Sequence, residues 1–139
     1  MPPQKSTFYL EMSAMNSLWP PDLNPYESKL SRSKGDIAEQ QSCEFLISHG
    51  FKIIEQNFYA KKLGEIDIIA SKEGVYHFCE VKSAQDYETA VNNINPSKLS
   101  KLKRSVDYYL QTKKLNTVYV IAALIVVDNH IEFLENITL

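Results

Sequence analysis

Glu65-Ile-Asp-Ile-Ile-Ala70 and Val75-Tyr-His-Phe-Cys-Glu-Val-Lys82, linked by Ser71-Lys-Glu-Gly74, decide how this chain reads. Both runs are rich in β-branched and aromatic residues, and a turn-forming glycine separates them, so they are expected as two strands of a hairpin. Each run is interrupted by charge at two-residue spacing. Side chains alternate along a strand, which puts Glu65 and Asp67 on one face, and Glu80 and Lys82 likewise on one face. A two-residue turn at Glu73-Gly74 sets Asp67 opposite Glu80, and opposite residues project to the same side of a sheet. Carboxylates placed side by side repel, and a divalent cation between them removes that cost.

An all-oxygen pair of this kind, Asp67 with Glu80, suits Mg2+ or Mn2+, which keep several waters and accept phosphate oxygens. A lysine two residues beyond the second carboxylate, Lys82, is placed to steady charge developing on a phosphate or to position a water. The spacing Asp-x12-Glu-x-Lys is chemically sensible, although Glu-x-Lys alone also describes an ordinary surface ion pair. Glu39, on a helix that must pack near the sheet, is the next carboxylate able to reach the same pocket. A solvated helix residue is the alternative.

Outward from the hairpin the chain is regular. Ile37, Ala38, Cys43, Phe45, Leu46 and Ile47 are spaced for a helix with one apolar side, stopped by His49-Gly50. Phe51 to Phe58 reads as a strand. After the hairpin, Asn95 is a good N-cap with Pro96 at the first helical position. Leu99, Leu102, Val106, Tyr109 and Leu110 then form an apolar stripe. Val118 to Val127 is apolar on both faces and is expected as a central, covered strand. Asp128-Asn-His130 turns into a last strand, Ile131 to Leu134. The order, helix, three strands, helix, two strands, predicts an α/β sandwich with a mixed sheet. Five of the six prolines lie in residues 1 to 33. This stretch is expected to be a poorly ordered extension before a domain spanning 34 to 139.

Composition narrows the function classes. The 139-residue chain, 44% hydrophobic and 23% charged, is sized and composed for one soluble domain. A formal net charge of -2 argues mildly against a protein that coats nucleic acid, though clustered metal-binding carboxylates lower net charge without repelling phosphate once a cation is bound. Cys43 and Cys79 have no paired spacing and are expected as buried, reduced thiols, consistent with a cytoplasmic location. No apolar run of about eighteen residues exists, so no membrane helix is expected. His49, His77 and His130 lack metal-ligand spacing. With four glycines and no phosphate-loop, dinucleotide or Gly-x-Ser-x-Gly pattern, those classes fall away. Lys98, Lys101, Lys103 and Arg104 cluster at the start of the second helix, and Lys61-Lys62 precedes Gly64. Of these, Lys98, Lys101 and Lys62 are the candidates to hold phosphates, against an ordinary solvated basic face for the rest.

Gly35-x-x-x-Glu39, Gln56-Asn57, Gly64-Glu-Ile-Asp-Ile-Ile-Ala70, Phe78-Cys-Glu-Val-Lys82 and Lys98 together resemble the YraN family of bacterial proteins, over residues 35 to 112. The resemblance implies a restriction-endonuclease-like, or PD-(D/E)xK, three-layer sandwich, similar to archaeal-type Holliday-junction resolvases. It implies that Asp67 and Glu80 ligate metal, that Lys82 is the catalytic lysine and that Glu39 assists. Two positions depart from the family pattern: Ala38 stands where glycine is usual, and Ala84 where arginine is usual. The expectation is a Mg2+-dependent (or Mn2+-dependent) nuclease acting on DNA, with branched or damaged structures among the candidate substrates. The runner-up is a non-catalytic nucleic-acid-binding module of the same fold, and a third reading is a protein–protein adaptor using Tyr108 and Tyr109 of the second helix. A homodimer is compatible with each.

Overall fold

The computed structural model describes residues 34–137, and the extension expected over 1 to 33 lies outside them. From Ala38 onward the chain forms one compact unit. Its elements are helix α1 (Lys34–Ser48), strand β1 (Lys52–Tyr59), a 3-10 turn (Lys61–Leu63), β2 (Glu65–Lys72), β3 (Val75–Ser83), short helix α2 (Tyr87–Asn92), α3 (Pro96–Thr112), β4 (Val118–Val127) and β5 (His130–Leu134).

The five strands form one sheet in the order β1-β2-β3-β4-β5. Three of the four neighbouring pairs, β1–β2, β2–β3 and β4–β5, are antiparallel. The β3–β4 pair is parallel, with the α2–α3 crossover between them. Helices cover both faces, so the fold is an α/β sandwich with a mixed sheet, consistent with the restriction-endonuclease-like architecture. On one face Cys43 and Leu46 of α1 pack on Ile68, Ala70, Cys79, Ala122 and Leu124. On the other, Leu102, Val106 and Tyr109 of α3 pack on Ile69, Phe78 and Ile121, and Ala90 of α2 meets Ala123 and Ile125.

Local chemistry explains most boundaries. In α1, Ala38, Ser42, Cys43 and Leu46 fall on one buried side at helical spacing. The helix ends where Gly50 takes φ +87°, and the Phe51 amide donates back to the Leu46 carbonyl at 2.9 Å, returning the Phe51 ring to the core. Glu73 (φ +52°) and Gly74 (φ +80°) form the two-residue turn expected between β2 and β3. The strands run up to it on both sides, longer than the composition suggested. Asp128 (φ +47°) and Asn129 (φ +65°) make the equivalent turn between β4 and β5. The Asn95 side chain accepts from the Lys98 amide at 3.0 Å, with Pro96 opening α3 as expected.

Two differences from the expectation have plain reasons. Helix α2 was not anticipated. Its signal is Asp86, whose carboxylate accepts from both the amide and the hydroxyl of Thr89, but a six-residue helix carries too little periodicity to register. Strand β4 is covered on both faces as expected, yet the middle of the sheet is β3; a continuous apolar run reports burial and not strand order. The Tyr pair of α3 is no free surface: Tyr109 is 2% exposed, and Tyr108 lies against the Phe58 ring.

Candidate metal centre

The β2–β3 register is the one the turn dictates: Lys72 pairs with Val75, and the ladder proceeds regularly to Ile68 opposite Cys79. The next pair would be Asp67 with Glu80, and there the strands part. Asp67 Oδ2 accepts a hydrogen bond from the Val81 amide at 2.8 Å, so a side chain replaces the backbone pairing at the mouth of the gap.

Strand β2 also turns over at this point. Ile66 and Ile68 are two residues apart and should share a face, yet Ile66 packs in the α3 layer and Ile68 in the α1 layer. Across from Asp67, between the Phe58–Ile66 and Gln56–Ile68 pairs, Asn57 has φ +53°. A left-handed residue interrupts the pleat, and asparagine tolerates that conformation better than most. The effect is to send Asp67 toward α1 together with Glu65. Glu39, on α1 one turn before Cys43, meets them. Carboxylate oxygens of Glu39, Glu65 and Asp67 all lie within 4.8 Å of one another. The Asn57 amide, oriented by its partners, donates to Glu39 Oε1 at 2.7 Å and to Glu65 Oε1 at 3.2 Å.

Glu80 and Lys82 project to the other side of the gap. Lys82 Nζ is 3.2 Å from Glu80 Oε1, and both are about one-quarter exposed. With Ile94, Lys98, Leu99 and Leu102 they line a narrow cleft against α3. The Lys82 ammonium is close enough to Lys98 to hold it below the ordinary lysine range. Lys82 and Lys98 therefore form a second, cationic group beside the acidic one.

The site is electrostatically loaded. Burial pushes the Asp67 carboxyl up to about 8, and the negative charges of Glu80, Glu39 and Glu65 add to it against the Val81 hydrogen bond. A half-buried carboxyl that resists ionisation among three other carboxylates is a site short of positive charge. The donors are all oxygen, which fits a hard divalent cation and not a soft one. Cys43 and Cys79 are free and buried, and burial with the nearby Glu39 and Glu44 pushes Cys43 up to about 12, so neither thiol is available as a thiolate ligand.

The expected residues are therefore distributed as follows. Glu39 and Asp67 come together with Glu65. Glu80 stays near enough to act on Asp67, but lies outside that cluster of three and pairs with Lys82. Lys98 joins Lys82. Lys101 and Lys62 are exposed, Lys101 on α3 and Lys62 on the 3-10 turn that packs beside α3. The sequence reading placed Glu65 on the face of Asp67 without counting it among the site residues, and it gave Asn57 no role. The signal for Glu65 was its two-residue spacing from Asp67; for Asn57 it was an asparagine inside a strand, where the type is depleted. His77 is buried against the Phe51 ring, its Nε2 3.2 Å from Glu135 Oε2, and takes no part in this site.

The sequence profile of the family described as "Uncharacterised protein family UPF0102" matches residues 38–127. The chain belongs to that family. The match spans every site residue named above, from Glu39 to Lys101, and UPF0102 is the YraN family that the sequence blocks resemble. The UPF0102 protein of Aliarcobacter butzleri is 62% identical over 110 residues, covering 79% of this chain and 100% of the relative. That of Sulfurimonas denitrificans is 53% identical over 110 residues, with the same coverage of both chains. That of Helicobacter hepaticus is 49% identical over 109 residues, 78% of this chain and 97% of the relative. Among the described residues, no helix is long and apolar enough to cross a membrane.

Proposed function

We propose that this UPF0102 protein is a Mg2+- or Mn2+-dependent nuclease that cleaves phosphodiester bonds in DNA. One observation carries the reading. Three carboxylates from α1 and β2 converge within 4.8 Å at the point where β2 and β3 part, beside a Glu80–Lys82 pair on the other side of the same gap. Carboxylates this close repel one another, and a cation between them would remove that cost.

Glu39, Glu65 and Asp67 are the residues that would hold the ion, with Glu80 completing the set from across the gap. A bound divalent cation supplies Lewis-acid polarisation of a phosphate and a water of lowered pKa. The chain's own groups account for the rest. The Val81 amide fixes the Asp67 carboxylate, and Asn57 fixes Glu39 relative to Glu65, so the acidic groups are oriented before any ligand arrives. Glu80 holds the Lys82 ammonium at the gap, where it can donate to a non-bridging phosphate oxygen as negative charge grows there. Lys98 adds a second cation for the neighbouring phosphate, and exposed Lys62 and Lys101 extend the rim.

The test is a divalent-ion titration of cleavage on single-stranded, duplex, flap and four-way DNA. Cleavage of at least one substrate that requires Mg2+ or Mn2+ and is lost in Asp67→Ala supports the nuclease. Metal-independent binding of DNA without cleavage of any substrate favours a binding module of the same fold.

A further inference from the structure

Tyr59 ends β1 and is 69% exposed, the most exposed large apolar or aromatic side chain among the described residues. Its neighbour Phe58 points into the α3 layer, where its ring packs on Tyr109 with centroids 4.9 Å apart, so Tyr59 points the other way. That way is the α1 side. In the β1–β2 register Tyr59 stands directly opposite Glu65. Opposed residues on a strand pair carry Cβ atoms only about 5 Å apart. Glu65 in turn contributes its carboxylate to the cluster with Asp67 and Glu39. The phenol ring therefore stands within one side chain's length of the acidic site.

The segment after Tyr59 is tied down by burial and backbone hydrogen bonds. The chain after Tyr59 buries Ala60 completely and folds into the 3-10 turn. The Ala60 amide donates to the Gly64 carbonyl at 2.7 Å, and the Leu63 amide to the Ala60 carbonyl at 3.0 Å. Lys61, at φ +54°, and Lys62 are both exposed on this turn. An aromatic face beside the carboxylates, followed at once by two cations on a fixed turn, has the chemistry of a single-stranded nucleic-acid contact: a ring for a base and ammonium groups for the backbone. A paired base inside a duplex is stacked on both faces and offers no surface to such a ring.

We infer that Tyr59 is a stacking platform for an unpaired base flanking the scissile phosphodiester, with Lys61 and Lys62 holding the adjoining backbone, so that the site selects DNA with unpaired nucleotides at the cut. This rests on the nuclease reading above for the identity of the polymer. Tyr59 is a specificity residue here, and the acidic cluster remains the reacting centre.

The experiment uses the full chain with Ca2+ in place of Mg2+, to separate binding from cleavage. The probes are a single strand of about 12 nucleotides, within the usual span of one such site, carrying one 2-aminopurine, and the same strand annealed to its complement. Anisotropy gives the affinity, and 2-aminopurine fluorescence reports stacking. Wild type should bind the single strand more tightly and quench its fluorescence. Tyr59→Ala should weaken single-strand binding about 10-fold, the scale of losing one base–aromatic stack, and abolish the quench, with duplex affinity within about two-fold. Tyr59→Phe should restore both. Tyr59→Ala binding the single strand as well as wild type, or losing equally on single strand and duplex, would overturn the inference and leave the nuclease reading standing. Wild type binding neither probe would overturn both.

Discussion

Asp67 Oδ2 and the Val81 amide, 2.8 Å apart, form a bond across β2 and β3 where the backbone ladder has just ended. A side chain that substitutes for a ladder pair wedges the two strands open and is itself held in the opening. The wedge is a carboxylate surrounded by three others, so the feature that shapes the site also strains it electrostatically. Stability and function should therefore separate under mutation.

Asp67→Asn keeps an oxygen to accept from Val81 and removes the charge. At neutral pH without divalent ions this variant should melt a few degrees higher than wild type, because folding no longer has to hold a proton on a carboxyl that burial, and then the charges of Glu80, Glu39 and Glu65, push up to about 8. Calorimetry with Mn2+ should show binding to wild type that the variant has lost. A lower melting temperature with Mn2+ binding intact would contradict the placement of the ion.

The same carboxyl fixes the sign of a pH effect. Asp67 is pushed up to about 8 in the folded protein, whereas an aspartate in the unfolded chain titrates near about 3.9. Between these values the native state holds a proton that the unfolded state has released. Its contribution to stability is complete below the unfolded value and is lost as pH rises through about 8. Metal-free wild type should lose stability over this window relative to Asp67→Asn. Added Mg2+ competes with the proton, so it should raise the melting temperature little at acid pH and more above the folded value. Melting curves of both proteins across the window, with and without Mg2+, check the sign; a difference independent of pH would refute it.

Lys82→Met keeps side-chain length and removes the ammonium. The variant should fold, bind Mn2+ and bind DNA, but cleave about 100-fold more slowly in single turnover at saturating Mg2+, the usual scale for losing one donor to developing charge. If Lys82 only partners Glu80, the cleavage rate will stay within a few-fold while the melting temperature falls.

Asn57 carries two separable loads: a left-handed backbone at φ +53° and an amide that bridges Glu39 and Glu65. Asn57→Gly accepts the backbone and drops only the bridge, while Asn57→Ala drops both. Urea unfolding should place the alanine variant lower than the glycine variant by about 1 kcal/mol, the usual cost of left-handed geometry with a Cβ. Both should bind Mn2+ more weakly than wild type, because Glu39 is no longer steered. Equal stability of the two variants would show that the backbone there relaxes freely.

The sequence by itself determined what local chemistry controls. Strand composition, the positive-φ pairs at Glu73-Gly74 and Asp128-Asn129, the Asn95-Pro96 start of α3 and the Gly50 stop of α1 each depend on a few adjacent residues, and all stand in the structure. The β2–β3 register follows from a turn of fixed length, so the ladder from Lys72–Val75 to Ile68–Cys79 could be set from the chain alone, though not the parting of the strands at Asp67 and Glu80. Tertiary structure decided the parallel pairing of β3 with β4, the arrival of Glu39 beside β2, and which way Asp67 faces. Alternation predicts a side only while the pleat is unbroken. Here β2 turns over opposite Asn57, a residue of the neighbouring strand, and nothing within Glu65-Ile-Asp-Ile-Ile-Ala70 encodes it. The acidic cluster is thus drawn from two elements, α1 and β2, whose proximity is a property of the packed fold. A one-residue change of facing, invisible along β2, separates Asp67 from the side of Glu80 and leaves it, with Glu65, facing Glu39.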